Sequence, residues 1–298
     1  AGYDLRFSVT TVAAAGYLGT IIPPSIPMIT YGVTTGASIG DLFSGGILPG
    51  LLLTGLMSIY AYSYGKKNNI VTSKFSLVQV WRTFKKAVWA LLMPIIILGA
   101  IYLGIFTPTE AAAVACLYGL FVGFIIYKEL TWKKVYFILN ESVISASMIM
   151  FIVGAAAVFG YVMTKAMIPV RMSEFIIRVT DTPFEFLLMV NLMLLCIGTF
   201  LETNAAILIV APIFIPICNS FGIDLVHFGI IMIVNLSIGM ITPPLGVNLF
   251  VGAKLAEGVG IGDIINKHLL NYLLLSIFGL LIITYVEQVV LFLPSVLN

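Results

Sequence analysis

Two Pro-Pro pairs, Pro23-Pro24 and Pro243-Pro244, interrupt long apolar stretches of this chain. A proline has no N–H and its ring clashes with the carbonyl four residues earlier, so it breaks a helix. The residue before a proline is also pushed away from the helical conformation. Each pair should therefore leave backbone carbonyl oxygens without their helical partners. The carbonyls expected to lose their partners are those of Gly19, Thr20, Gly239 and Met240.

An unpaired carbonyl inside a membrane costs several kcal/mol, and coordination of a hard cation replaces the missing hydrogen bond. Sodium is the natural choice, because the backbone carbonyls of broken membrane helices are known to coordinate it. The hydroxyls of Ser25 and Thr242 stand at the breaks and can add oxygen ligands. The half-helices that restart after the breaks present positive dipole ends, which favours an anionic substrate. The alternative for one isolated break is a proline kink satisfied by neighbouring helices.

The composition places these breaks in a membrane protein. Of 298 residues, 60% are hydrophobic and 9% are charged, where a soluble domain carries about a quarter charged residues. Several windows of 18 or more residues are nearly free of charge, as in transmembrane helices. The sequence thus predicts an all-α polytopic membrane protein in a lipid bilayer. A net charge of +2 gives no reason to expect a nucleic acid partner.

Lysine and arginine indicate which loops face the cytoplasm. Residues 65–86 contain six basic and no acidic side chains, so we assign this segment to the cytoplasmic side. Within it, residues 72–87 place apolar side chains at helical spacing among basic ones, which predicts a helix lying in the membrane interface. Further spans are predicted at residues 87–105, 107–127, 142–163 and 269–293. Thr107 and Glu110 have the spacing of a capping box.

Residues 184–218 are apolar but are interrupted at residues 198–204. Each arm has only about 14 residues, or ~21 Å of helix, and the hydrocarbon core is ~30 Å thick. This predicts a re-entrant helical hairpin that enters and leaves by one face. One ordinary span followed by an oblique helix is the alternative. Glu202 at the tip either caps the second arm or lies near the substrate.

The two breaks belong to an internal repeat. Gly2, Asp4 and Leu5 recur as Gly222, Asp224 and Leu225, and Gly19 with Pro23-Pro24 recurs as Gly239 with Pro243-Pro244, always 220 positions later (239 − 19 = 220). The assigned sides orient the copies oppositely. An inverted repeat with matching broken helices points to a secondary transporter with its substrate and ion sites at the breaks. Two related breaks therefore favour the ion site over the proline kink.

The copies differ in what precedes them. The hairpin at residues 184–218 precedes the second copy, whereas the first copy starts at residue 1. We therefore expect this chain to be the C-terminal part of a longer one, with the matching first hairpin outside it.

Six motifs spread over most of the chain resemble the large membrane subunit of the tripartite ATP-independent periplasmic (TRAP) transporters. Their order and spacing fit that family. They are GTIIPPSIP (19–27), YGVTTGASIGDLF (31–43), GILPG (46–50), GIFTPTEAAA (104–113), GTFLETNA (198–205) and GMITPPLGVNLF (239–250).

The resemblance implies an inverted-repeat, elevator-type transporter of the bacterial inner membrane and no enzyme. It implies sodium-coupled uptake of an organic acid anion, such as sialic acid, a C4-dicarboxylate or a keto acid. The implied partners are a periplasmic substrate-binding protein and a small membrane (Q) subunit, separate or fused. Residues 1–41 and 184–268 would form the transport domain. Residues 42–183 would form the scaffold and arm helices, and residues 269–298 a C-terminal transmembrane helix.

The resemblance also implies two sodium sites at the breaks, while the polar side chains there are the candidate substrate ligands. The first sodium site includes Gly19, Ile22 and Pro24. The second includes Gly198, Gly239, Thr242 and Leu245. The substrate candidates are Ser25, Thr199, Thr203, Asn204 and Asn248.

The sequence fits two other classes of protein less well. A proton-coupled antiporter with discontinuous helices would need an ionisable residue at a break, and neither Pro-Pro break has one. A membrane enzyme would need a convergent set of His, Asp or Ser at one depth, and the sequence shows none.

Overall fold

A computed structural model describes residues 2–70, 75–168, 171, 172, 174, 176, 180, 182–255 and 259–297. The described residues contain helices and no strands. Within these residues, seven helical segments are long and apolar enough to cross a membrane. The chain divides into two compact units, residues 1–72 with 157–298 and residues 73–156, and each is described separately. These two units are defined by contacts within the chain. They do not test the predicted boundaries of the transport domain and the scaffold, which stay predictions.

The larger unit contains both breaks and the predicted hairpin. Its helices are α1 (Leu5–Ala15), α2 (Leu18–Ile21), α3 (Ile26–Thr35), α4 (Ile39–Lys67), α8 (Pro183–Gly198), α9 (Thr203–Phe221), α10 (Leu225–Gly239), α11 (Val247–Lys254), α12 (Ile261–Ile264), α13 (Lys267–Tyr285) and α14 (Gln288–Leu297).

The smaller unit is built from α5 (Leu77–Tyr102), α6 (Pro108–Phe121) with a π-helical turn after it, and most of α7 (Trp132–Lys165). Helix α6 begins with the predicted capping box: Thr107 N–H donates to the Glu110 carboxylate at 2.8 Å and Glu110 N–H donates to Thr107 Oγ1 at 3.3 Å. That prediction is confirmed.

Several predicted boundaries differ in the structure, and α7 starts at Trp132, earlier than the span predicted at residues 142–163. The interfacial helix and the span after it form one continuous helix, α5, which runs from Leu77 to Tyr102 and continues through Pro94. Residues 72–74 lie outside the described residues. The last span ends early, at Tyr285, and a new helix starts at Gln288. The hairpin arms α8 and α9 have 16 and 19 residues, so they are longer than the sequence indicated. The interruption between them is confirmed, and its re-entrant course stays a prediction.

The start of each copy of the repeat contacts the end of the other copy. At one end of the unit, Arg6 forms an ion pair with Asp263 at 2.9 Å, and Asn266 Nδ2 donates to Thr10 Oγ1 at 3.0 Å. At the other end, Tyr31 donates its hydroxyl hydrogen to the Leu225 carbonyl at 2.8 Å. The start of the first copy thus lies beside the end of the second, and the reverse. Copies of opposite orientation would pack in this way.

Helix α10 is the centre of the larger unit. Every residue from His227 to Gly239 is buried, as expected for a helix that is apolar all round. Two of its polar side chains bond to neighbouring helices: His227 Nε2 lies 2.9 Å from the Ile283 carbonyl, and Asn235 Nδ2 donates to Asn191 Oδ1 at 2.6 Å. Asn235 Oδ1 is buried and has no hydrogen-bond partner among the described residues. The helix that leads into the second break is therefore held by protein on all sides.

We expect Gly229→Ala to destabilise the protein. A Cβ at Gly229 would lie 2.4 Å from Cε1 of Tyr31, whose side chain is fully buried and whose hydroxyl is hydrogen-bonded. Overpacking of this kind costs about 1–3 kcal/mol. The midpoint of thermal unfolding in detergent should fall.

Gly55→Ala is the matched control, since Gly55 also lies inside a helix but a Cβ there would meet nothing within 4 Å. Its midpoint should stay the same or rise. Equal midpoints for the two variants would contradict the described packing of α10 against α3.

Candidate functional site

The first break lies between α2 and α3. Helix α2 ends at Ile21, and Ile22 and Ser25 are extended (ψ 124° and 129°). The Thr20 carbonyl, which the sequence predicted to be free, accepts the hydroxyl of Ser25 at 2.5 Å. That part of the prediction is wrong, because the serine after the prolines folds back onto the end of α2. Gly19 has Pro23 four residues later, so its carbonyl loses its helical donor as predicted.

The second break follows Gly239, the last residue of α10, and both Pro-Pro peptide bonds of the chain are cis. Gly239 O accepts from Thr242 N–H at 3.0 Å, and Met240 O accepts from Asn248 N–H at 3.0 Å. The prediction that these two carbonyls are unpaired is therefore wrong. The chain closes a tight turn after α10, and Gly246, with φ of +44°, turns the start of α11 back towards Met240.

Carbonyl oxygens without donors are nevertheless abundant at both breaks. Seven residues are assigned to the sodium sites, and the carbonyl oxygens of six of them accept no hydrogen bond described in the structure. The seventh, Gly239 O, accepts one hydrogen bond from Thr242 and keeps its second lone pair free. Such oxygens are suitable ligands for a hard cation. The six are those of Gly19, Ile22, Pro24, Gly198, Thr242 and Leu245.

The hydroxyl groups of Ser25 and Thr242 at the breaks each donate a hydrogen bond to a backbone carbonyl. Thr242 Oγ1 donates to the Ile238 carbonyl at 2.8 Å, as Ser25 Oγ does to Thr20 O. A hydroxyl that donates to a carbonyl presents its lone pairs outwards. Both oxygens are therefore in the state that a cation ligand requires.

The turn of the hairpin touches the second break through two glycines. A Cβ on Gly239 would lie 2.3 Å from the carbonyl carbon and oxygen of Gly198, and a Cβ on Gly198 would lie 3.1 Å from the backbone of Leu236. Only residues without a side chain allow this approach. The contact brings together two of the four residues assigned to the second sodium site.

The first break packs against α4 instead. A Cβ on Gly46 would lie 2.8 Å from the Ile21 carbonyl, and one on Gly50 would lie 2.7 Å from Ile22 Cγ1. This explains the two glycines of the GILPG motif, whose role the sequence did not reveal. Gly19 is exposed, and a Cβ there would meet none of the described atoms within 4 Å.

A hydrogen bond joins the two copies close to both breaks. Thr20 Oγ1 lies 2.6 Å from the Tyr17 carbonyl and 2.7 Å from Ser237 Oγ. Since the threonine has one proton and donates it to Tyr17 O, Ser237 must be the donor to Thr20. The turn of α2 before the first break is thus tied to the turn of α10 before the second.

The tip of the hairpin is linked to the helix that restarts after the first break. Glu202 accepts from Ala205 N–H at 3.0 Å and from Asn204 Nδ2 at 2.8 Å. Thr30 on α3 donates to Asn204 Oδ1 at 3.0 Å. Glu202 is thus the cap of α9, one of its two predicted roles. Thr30 was missed, because a lone threonine inside a helix forms no motif.

The candidate substrate residues differ in their immediate contacts. Thr203 Oγ1 and Asn248 Nδ2 are buried and have no hydrogen-bond partner among the described residues. Thr203 belongs to the start of α9, whereas Asn248 Nδ2 would lie 3.1 Å from a Cβ on Gly16, the residue that follows α1. Thr199 donates to the Cys196 carbonyl at 2.7 Å. Thr203 and Asn204 therefore remain adjacent, while Asn248 lies against another helix.

Comparison with known proteins identifies the family. A sequence model described as tripartite ATP-independent periplasmic transporter, DctM component, matches residues 1–289. The chain is 44% identical to the isethionate TRAP transporter permease protein DctMQ of Oleidesulfovibrio alaskensis over 98% of its own length and 46% of that protein. It is 42% identical to the C4-dicarboxylate TRAP transporter large permease protein DctM of Pseudomonas aeruginosa over 99% and 69% of the two chains.

It is also 38% identical to the sialic acid TRAP transporter large permease protein SiaM of Vibrio cholerae, over 86% of this chain and 60% of that protein. The chain thus spans about half to two thirds of the length of these relatives. All three are named as permeases, in agreement with the predicted membrane location and with the expectation that the chain is not an enzyme. The chain belongs to the DctM component family of the tripartite ATP-independent periplasmic transporters.

Proposed function

We propose that this chain forms the ion- and substrate-binding part of a sodium-coupled importer of small organic anions. The observation that carries the proposal is the set of carbonyls without donors at two repeat-related breaks, with hydroxyl lone pairs beside them. Oxygen-only ligands without a nearby ionisable side chain suit Na⁺ better than H⁺. Glu202, the acid at the hairpin tip, is occupied in capping α9, which weakens the case for a proton-coupled antiporter.

The start of α9 supports an anionic substrate. Its positive dipole end lies beside Thr203, whose buried hydroxyl has no partner among the described residues. The relatives are named for isethionate, C4-dicarboxylates and sialic acid. Isethionate is a sulfonate, so the proposed substrate class is wider than the carboxylates that the motifs alone suggested.

The proposed partners are a periplasmic substrate-binding protein, which delivers the anion, and a small membrane subunit, separate or fused. In the proposed elevator mechanism, the transport domain of residues 1–41 and 184–268 would move against the scaffold within residues 42–183. Each net charge that moves down the membrane potential supplies ~2.3 kcal/mol per 100 mV. Two sodium ions with a monovalent anion would therefore make uptake electrogenic and concentrative.

Replacing sodium by potassium should abolish uptake. The complete permease is reconstituted in proteoliposomes with its binding protein, and accumulation of radiolabelled C4-dicarboxylate, sialic acid and isethionate is measured in each salt. We expect accumulation of one of the three anions with an inward sodium gradient only. Equal uptake in potassium would defeat the sodium assignment, and uptake that follows a proton gradient would support the antiporter.

Thr242→Val should weaken sodium dependence, because valine keeps the shape of the side chain and removes its oxygen. We expect the sodium concentration for half-maximal uptake to rise at least about tenfold. A tenfold change corresponds to ~1.4 kcal/mol of binding free energy. Thr242→Ser restores the hydroxyl and should stay near the unmodified protein. If valine and serine give the same sodium dependence, the hydroxyl of Thr242 does not coordinate the ion.

A further inference from the structure

A polar cavity lies where the end of α4 meets the start of α13. Its volume is about 360 Å³. None of the residues that line it is acidic, and Lys67 and Lys267 supply two positive charges. The lining residues are Tyr60, Ser63, Tyr64, Lys67, Asn68, Lys267, His268 and Asn271.

The floor of the cavity is rigidly organised. Asn271 Nδ2 donates to the Tyr60 hydroxyl at 2.7 Å, and that hydroxyl lies 2.8 Å from Nδ1 of His268. The ring of His268, which is 9% exposed, stands edge-on to the ring of Tyr64, and Tyr64 is stacked on Phe7 with ring centroids 3.6 Å apart. These groups satisfy one another, so the two ammonium groups are the charges available to a ligand.

The positive charge of Lys267 lies at the positive end of the dipole of its own helix. It is the first residue of α13, a 19-residue helix whose cap Asn266 accepts the N–H groups of His268 and Leu269. A cation at a helix N-terminus is unfavourable, and an anion there is favourable. Lys67 lies in the last turn of α4, where the helix dipole accounts for it. Neither lysine has an ion-pair partner among the described residues, so the local structure leaves Lys267 unexplained.

The position of the cavity along the membrane normal suggests what binds there. The end of α4 leads into the basic segment 65–86, which the positive-inside rule assigns to the cytoplasm. The His268–Tyr60 hydrogen bond places the start of α13 at the same end. This leaflet carries anionic phospholipids, and basic pockets between transmembrane helices on this side bind their head groups.

We propose that this cavity binds an anionic phosphate group through Lys67 and Lys267. An anionic phospholipid head group and a soluble phosphate share this chemistry. Bound lipid would hold the start of α13 to the end of α4 at the membrane surface. The site is independent of sodium and substrate at the breaks.

Native mass spectrometry of the complete permease in detergent tests the proposal. Phosphatidylglycerol, phosphatidylcholine and inorganic phosphate are titrated separately, and inorganic phosphate is also added in competition with bound phosphatidylglycerol. A basic side chain near the membrane surface contributes about 5-fold in affinity, so Lys67→Gln with Lys267→Gln should lose about 25-fold for phosphatidylglycerol. Lys67→Arg with Lys267→Arg should retain binding, which separates loss of charge from loss of folding.

Lys133→Gln, which removes a lysine of α7 in the smaller unit, is the control for non-specific charge effects and should bind like the unmodified protein. Phosphatidylglycerol binding that depends on the two lysines identifies the lipid as the source. Binding of inorganic phosphate alone, with the same dependence, identifies the soluble anion. Equal phosphatidylglycerol affinity in the glutamine and arginine variants, or equal affinity for phosphatidylcholine, would overturn the proposal.

Discussion

A backbone carbonyl inside a membrane must find a partner, and this requirement governs the larger unit of the protein. Prolines at two equivalent positions remove the donors that a helix would supply. Part of the loss is made good within the chain: Ser25, Thr242 and Asn248 each return a hydrogen bond to the interrupted backbone. What remains is a set of oxygens that protein donors in the described structure do not reach, and the proposed sodium ions would coordinate them.

The surrounding helices have the shape that such breaks need. Gly198 and Gly239 let the hairpin turn meet the second break, and Gly46 and Gly50 let α4 meet the first. Burial of α10 from His227 to Gly239 surrounds the helix that leads into the second break with protein. Irregular backbone at membrane depth is tolerated only where protein or a wet cavity surrounds it. The close packing of the surrounding helices therefore allows the backbone to keep unpaired carbonyls at the breaks.

Local rules account for what the sequence predicted correctly. Proline chemistry located both breaks, the spacing of Thr107 and Glu110 located a capping box, and a fixed offset revealed the repeat. The failures involve groups brought together by the fold. The pairing of Met240 with Asn248 depends on how the chain turns after Pro244. The role of Thr30 depends on the packing of α3 against α9. No sequence pattern in either helix predicts that packing.

Direct sodium binding to the purified permease tests the central claim most sharply. Isothermal titration with sodium chloride, against potassium chloride at equal ionic strength, should show saturable binding of sodium only. Gly239→Ala should lose sodium binding at the second break, because its Cβ would displace the Gly198 carbonyl. Gly262→Ala, where a Cβ meets nothing within 4 Å, should bind as the unmodified protein does. Heats that are the same for sodium and potassium, or unchanged by Gly239→Ala, would contradict a sodium site at the break.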